Sequence, residues 1–125
     1  MIINRVVLFL MFITLIMGCN SEKINPDCLS LEKSVFKLEM KKHSNFQLID
    51  VRTSEEYNNG TIENAVNINF YDNNFNEQLS GLDKSLPTFV YCHSGGRSGK
   101  ASKILKELGF SEVYDLKGGF SNWPF

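Results

Sequence analysis

Cys92 has the setting in which a cysteine does chemistry. Thr88–Tyr91 reads as a short apolar strand that runs into Cys92-His-Ser-Gly-Gly-Arg97-Ser98-Gly99, and a helix begins at once. A thiol at a strand's end, followed by a glycine-rich turn into a helix N-terminus, lies where successive backbone N–H groups and the helix dipole favour an anion. Gly95 and Gly96 suit a loop that wraps closely around a sulfur, because a Cβ would hinder the approach. Arg97 adds a fixed charge with several donors, suited to a sulfur-oxygen or phosphate-like anion. The residues alone leave a second reading open, a buried structural cysteine beside a turn.

The elements that must position this loop alternate along the chain. Residues 34–42 form a helix with Val35, Phe36, Leu38 and Met40 on an apolar side, and residues 46–51 a strand apolar nearly throughout, as in a parallel strand covered on both faces. Thr53-Ser-Glu-Glu56 has capping-box spacing and opens a short helix that Asn58-Asn59-Gly60 stops. Strands follow at 65–68, Thr88–Tyr91 and Val113–Leu116, with helices at 75–82 and 98–108. Strands separated by helices predict βαβ units, a parallel sheet and helices on both faces. Ligands of such sheets sit beyond the carboxyl ends of the strands, so the loops after Val51, Tyr91 and Leu116 should converge on one pocket.

In this order the motifs resemble the rhodanese-like (sulfurtransferase) family over about 80 residues: Leu48-Ile-Asp-Val-Arg52, Glu56-Tyr57 and Gly60, Ala65-x-Asn67-Ile68, Val90 to Ser98, Leu116-x-Gly118-Gly119, and Trp123. Thr61 departs from the family's usual His, as does an ending soon after the Trp. The resemblance implies a three-layer α/β rhodanese-like domain with a central parallel β-sheet flanked by helices. It also implies a double displacement: Cys92 takes the outer sulfur of a small anionic donor such as thiosulfate or a polysulfide, becomes a persulfide, and passes the sulfur to a thiol or protein-thiol acceptor. His93, Ser94, Gly95, Gly96, Arg97 and Ser98 are the candidates for holding the substrate, with His93 read as exposed and non-catalytic. The Cys-x4-Arg spacing is one residue shorter than the Cys-x5-Arg loop of the related dual-specificity phosphatases and arsenate reductases, too tight a cradle for a tetrahedral phosphate. A non-catalytic binding module of the same fold is the alternative; inactive members typically lack the cysteine that this chain keeps.

Other residues carry plainer expectations. Arg52 and Glu56 should form a structural ion pair beneath the pocket, His43 should be a solvated helix-end residue, and Trp123 should belong to the core. Gly118 and Gly119 should let the last loop approach the Cys92 loop. Cys28 reads as a bystander, the alternative being a resolving thiol for Cys92 in an oxidising envelope.

Composition bounds the rest. The chain has 125 residues, 42% apolar and 22% charged, and its 13 basic against 14 acidic side chains leave no basic footprint for nucleic acid. Its three cysteines form no CxxC pair, so neither a disulfide framework nor a zinc site is expected, and no cofactor. Arg5 and the apolar run 6–17 fit a secretory leader, and Ile16-Met17-Gly18-Cys19 resembles the lipobox of bacterial lipoproteins. That resemblance implies residues 1–18 as signal peptide, cleavage after Gly18, lipidation of Cys19, and a domain at 29–125 held to the cell envelope by a tether at 19–28. A plain cleaved signal or an uncleaved anchor are the alternatives.

Overall fold

The computed structural model describes residues 28–123. The signal segment, the lipobox with Cys19 and all of the tether except Cys28 lie outside them.

Five parallel strands form one sheet: β1 (Leu29–Leu31), β2 (Gln47–Asp50), β3 (Val66–Asn67), β4 (Thr88–Tyr91) and β5 (Val113–Leu116), in the order β1-β5-β4-β2-β3. The helices are α1 (Lys33–Lys41), α2 (Ser54–Asn58), α3 (Phe75–Ser80) and α4 (Gly96–Glu107), with a 3-10 turn at Phe120–Asn122. This is the expected three-layer arrangement. β4 and the centre of β2 read as apolar on both faces because successive side chains enter two different cores. Ile49, Val51, Val90 and Cys92 pack with Phe75 of α3 and Ala101 and Leu105 of α4. Leu48, Phe89 and Tyr91 pack on the other face with Phe36 of α1 and, at its margin, Tyr57 of α2 and Trp123. Trp123 is therefore core-side as expected, its ring 6.3 Å from Phe36 and capped by the Lys37 ammonium.

Beside one- or two-residue shifts at other element ends, two features differ from expectation for particular physical reasons. β1 was not expected at all: three residues have no periodicity, and they are a strand only because Leu29 to Leu31 pair with Tyr114 to Leu116, far along the chain. α4 begins at Gly96, two residues early, because Gly95 turns the chain with φ of 109° and delivers it directly into the helix. His43 is also not simply solvated. Its ring is half-buried against Phe89 and Tyr114, with Nε2 3.4 Å from Glu39.

Beneath the carboxyl ends of the strands lies a buried ion pair. The Arg52 Nη2 donates to Asp50 Oδ2 at 2.6 Å and to the Gly60 carbonyl at 2.6 Å, and its Nε donates to both Asp50 oxygens at 3.0 Å. Thr61, where the family more often has His, joins the same network: its hydroxyl lies 2.6 Å from the Tyr91 hydroxyl and donates to Asp50 Oδ2 at 3.3 Å. The expected pairing of Arg52 with Glu56 is thus corrected. The Asp50 carboxylate, two residues away on the same strand end and fully buried, takes the guanidinium instead. Removing one partner of such a pair leaves an uncompensated buried charge, so Asp50→Ala should cost about 3–5 kcal/mol of unfolding free energy, read from urea denaturation; a cost below about 1 kcal/mol would contradict a structural role for the pair.

Candidate active site

The Cys92 loop joins β4 to α4 at the carboxyl edge of the sheet. Cys92 is buried, at 1% exposure, and lies in the α4-side core. Burial opposes a thiolate, but the Ser98 hydroxyl and the backbone N–H groups of Ser98, Gly95 and Ser94 outweigh it and hold the Cys92 thiol below its ordinary pKa. The Gly95 N–H donates to Sγ at 3.0 Å.

The donors face inward because the carbonyls are engaged elsewhere. Cys92 O accepts from Phe120 N at 2.8 Å and His93 O from Ser121 N at 2.9 Å, so the last loop holds the outer side of the active-site loop. Gly119 makes that approach possible: with φ of 63°, a Cβ there would lie 2.5 Å from both carbonyl oxygens. The close approach expected of Gly118 and Gly119 is present. His93 and Ser94 are exposed, as is Gly96, while Ser98 is fully buried beside the sulfur.

Arg97, expected to help hold an anionic substrate, is engaged here by a carboxylate. Its guanidinium makes a bidentate pair with Glu56, Nη1 to Oε2 at 2.8 Å and Nη2 to Oε1 at 2.9 Å, and stands 5.8 Å from the exposed Tyr71 ring. Glu56 is also the capping-box residue of α2, accepting from the Thr53 N–H and hydroxyl at 2.9 and 3.0 Å. One carboxylate therefore caps α2 and ties it to the first turn of α4. The Arg97–Glu56 pair is electrically neutral, and the charge on the sulfur is met chiefly by the loop's own N–H and O–H donors.

Asp115 is the residue that motif reading passed over. It stands in β5 on the α4 side, register partner of Val90, at 7% exposure. Its Oδ1 is buried without a hydrogen-bond partner, and burial pushes its carboxyl up to about 6, with the Ser98 hydroxyl pulling the other way. The available signal was a lone charge inside a strand assigned to a covered sheet. Cys28 and Cys92 are both free thiols, and Cys28 is exposed.

With this geometry in hand, comparison with known proteins is specific. The profile of the rhodanese-like domain matches residues 35–124. Among curated proteins, the chain is 36% identical over 86 residues to the thiosulfate sulfurtransferase GlpE of Shewanella oneidensis, covering 69% of this chain and 83% of that protein. It is 35% identical over 85 residues to the thiosulfate sulfurtransferase GlpE of Coxiella burnetii, covering 68% and 78%. Among solved structures, a rhodanese-like domain protein from Staphylococcus aureus superposes with a TM-score of 0.67 at 27% identity, over 77% of this chain and 91% of that one. The chain belongs to the rhodanese-like domain family, and its fold is the family's parallel-sheet α/β fold. At the level of the family, these relatives support a rhodanese sulfurtransferase.

The Glu56 clamp has a pH signature. Arg97's hydrogen bonds hold the Glu56 carboxyl down at about 2, against the opposing effect of burial and with help from Thr53. A group depressed on folding adds stability that is present above its unfolded value of about 4.3 and lost as pH falls through its folded value. Glu56→Gln should therefore lower the urea midpoint at pH 6, and the parent should lose more stability than the variant between pH 5 and pH 2. Equal acid sensitivity of the two would contradict the clamp.

Proposed function

We propose that the chain is a sulfurtransferase that carries sulfane sulfur on Cys92 between a small sulfur donor and a thiol acceptor. The observation that carries this reading is a buried cysteine whose sulfur is surrounded by inward-facing donors. The Cys92 thiolate attacks the outer sulfur of thiosulfate; the S–S bond to the sulfonate breaks, sulfite leaves with the bonding pair, and Cys92 keeps a persulfide anion. A thiolate acceptor then attacks the outer sulfur, the persulfide bond breaks, and its electron pair returns to Cys92.

Thiolate activation is not the main contribution. A lowered cysteine pKa raises the thiolate fraction at neutral pH. The accompanying loss of nucleophilicity, with a Brønsted slope of about 0.45, takes back nearly half of that gain on a logarithmic scale. The larger effect is preorganised stabilisation of the negative charge on Cys92 and on the persulfide, with donors fixed before the reaction begins. Arg97 contributes as a cation near the sulfur whose charge is shared with Glu56, so the loop suits a polysulfide or a thiol-bound persulfide as well as thiosulfate.

The test is the intact mass of the reduced full chain after incubation with thiosulfate or polysulfide, alongside Cys92→Ser. One added sulfur on the parent and none on the variant is expected. No adduct from either donor would overturn the reading and favour a binding module. Arg97→Ala should lower kcat/KM for thiosulfate about tenfold, an effect equivalent to about 1.4 kcal/mol, and unchanged kinetics would remove Arg97 from donor binding.

The same proposal places the domain on the bacterial cell envelope through lipidated Cys19. Its support is the Ile16-Met17-Gly18-Cys19 sequence after an apolar leader. Cys19→Ala should abolish incorporation of labelled fatty acid and release the chain from the membrane fraction; retained label would contradict it.

A further inference from the structure

We propose that Asp115 acts on Cys92 through the Ser98 hydroxyl, the carboxyl and the sulfur competing for one hydroxyl proton and titrating as a coupled pair. The inference rests on the sulfur-carrier reading of Cys92 for its catalytic meaning, and makes Asp115 a positioning residue.

Three observations on geometry support it. Asp115 and Cys92 lie on the same side of the sheet, because Asp115 is register partner of Val90 and side chains two residues apart share a face. Ser98, fully buried in the first turn of α4, stands beside both groups, and its hydroxyl is among the influences that lower the pKa of each. Its hydroxyl now makes only a long 3.3 Å bond to the Gly95 carbonyl, so it is readily redirected. Asp115 Oδ1, meanwhile, is buried with no partner at all, which is costly for a carboxylate and tolerable for a group that takes up a proton.

The groups facing Asp115 leave Ser98 as its main polar neighbour. From α4 come the Ser98 hydroxyl and the backbone at Gly99, where a Cβ would stand 4.0 Å from Oδ2; ahead of β1 comes the Cys28 thiol, itself beside Ser102, Lys103 and Lys106. The Lys106 ammonium is held by the carbonyls of Phe110 and Ser111.

A hydroxyl has one proton to donate. With Asp115 protonated, its O–H donates to Ser98 Oγ and the Ser98 proton is free for the Cys92 thiolate or persulfide. With Asp115 ionised, the carboxylate draws the Ser98 proton to itself, and the sulfur loses a donor and acquires a like charge nearby. Each ionisation therefore opposes the other, and the two protons leave in steps that belong to the pair. Sulfur transfer is best supported on the acid side, where the second negative charge has not yet formed.

The test is site-resolved alkylation of the full chain by iodoacetamide from about pH 5 to about pH 10, reading Cys92 separately from Cys19 and Cys28. The Cys92 rate of the parent should rise in two steps. Asp115→Asn should rise in one step at lower pH, matching the parent on the acid side where Asp115 is already protonated and running about tenfold faster between the parent's two steps, the size expected for groups coupled strongly enough to titrate together. In a Ser98→Ala background, Asp115→Asn should change the rate less than about twofold, since additivity returns when the connecting group is gone. A single step in the parent, an Asn variant that tracks the parent, or the same change with and without Ser98 would each overturn the proposal. The parent's profile decides the matter even where a variant fails to fold. Persulfide mass on the same samples separates the two claims: coupled titration without a sulfur adduct sinks the carrier reading alone, and an adduct with uncoupled titration sinks this one alone.

Discussion

A sulfur anion that is buried must have its charge met by donors that are already in place. At 1% exposure Cys92 cannot rely on water, and burial by itself would raise its pKa. The loop reverses that effect with N–H groups from Ser94, Gly95 and Ser98 and with the Ser98 hydroxyl. Much of the surrounding structure serves to keep those donors pointing inward. β4 brings the chain to the carboxyl edge, Gly95 makes the left-handed turn into α4, and the backbone of Phe120 and Ser121 takes the loop's carbonyls from outside. Gly119 is part of the same device, although it never approaches the sulfur as a donor.

Charge is handled by division into separate pairs. Arg52 is satisfied by Asp50 below the site, and Arg97 by Glu56 beside it. Neither guanidinium is left as an isolated cation, so the electrostatics of the sulfur depend on short-range hydrogen bonds more than on net positive charge. This favours an anion whose charge sits on one atom at the centre of the cradle, as in a persulfide, over a large polyanion. It also explains how one carboxylate, Glu56, links helix capping to the active-site helix: the Thr53 cap and the Arg97 clamp share its Oε2, and the clamp alone takes Oε1.

Local signals were readable in the sequence where short-range chemistry decides the outcome. The Thr53 and Glu56 capping box, the apolar β4, and the glycines around Cys92 each act over a few residues and appear where expected. What escaped depends on contacts distant in the chain. β1 exists through pairing with β5, and Glu56 chooses Arg97, 41 residues away, because Asp50 has already taken Arg52. Asp115 was hidden for a related reason: a single acidic residue in an apolar strand has no local pattern, and its meaning comes from α4 laying Ser98 over it.

The most direct test of the central claim compares two cysteines in one chain. Cys92 is buried with its pKa lowered, and Cys28 is exposed with its pKa raised, chiefly by partial desolvation. The midpoint of thiolate formation at each, measured in the same sample, should place Cys92 below Cys28 despite its burial. If Cys92 ionises at the higher pH, the loop does not hold a sulfur anion and the account of this site fails.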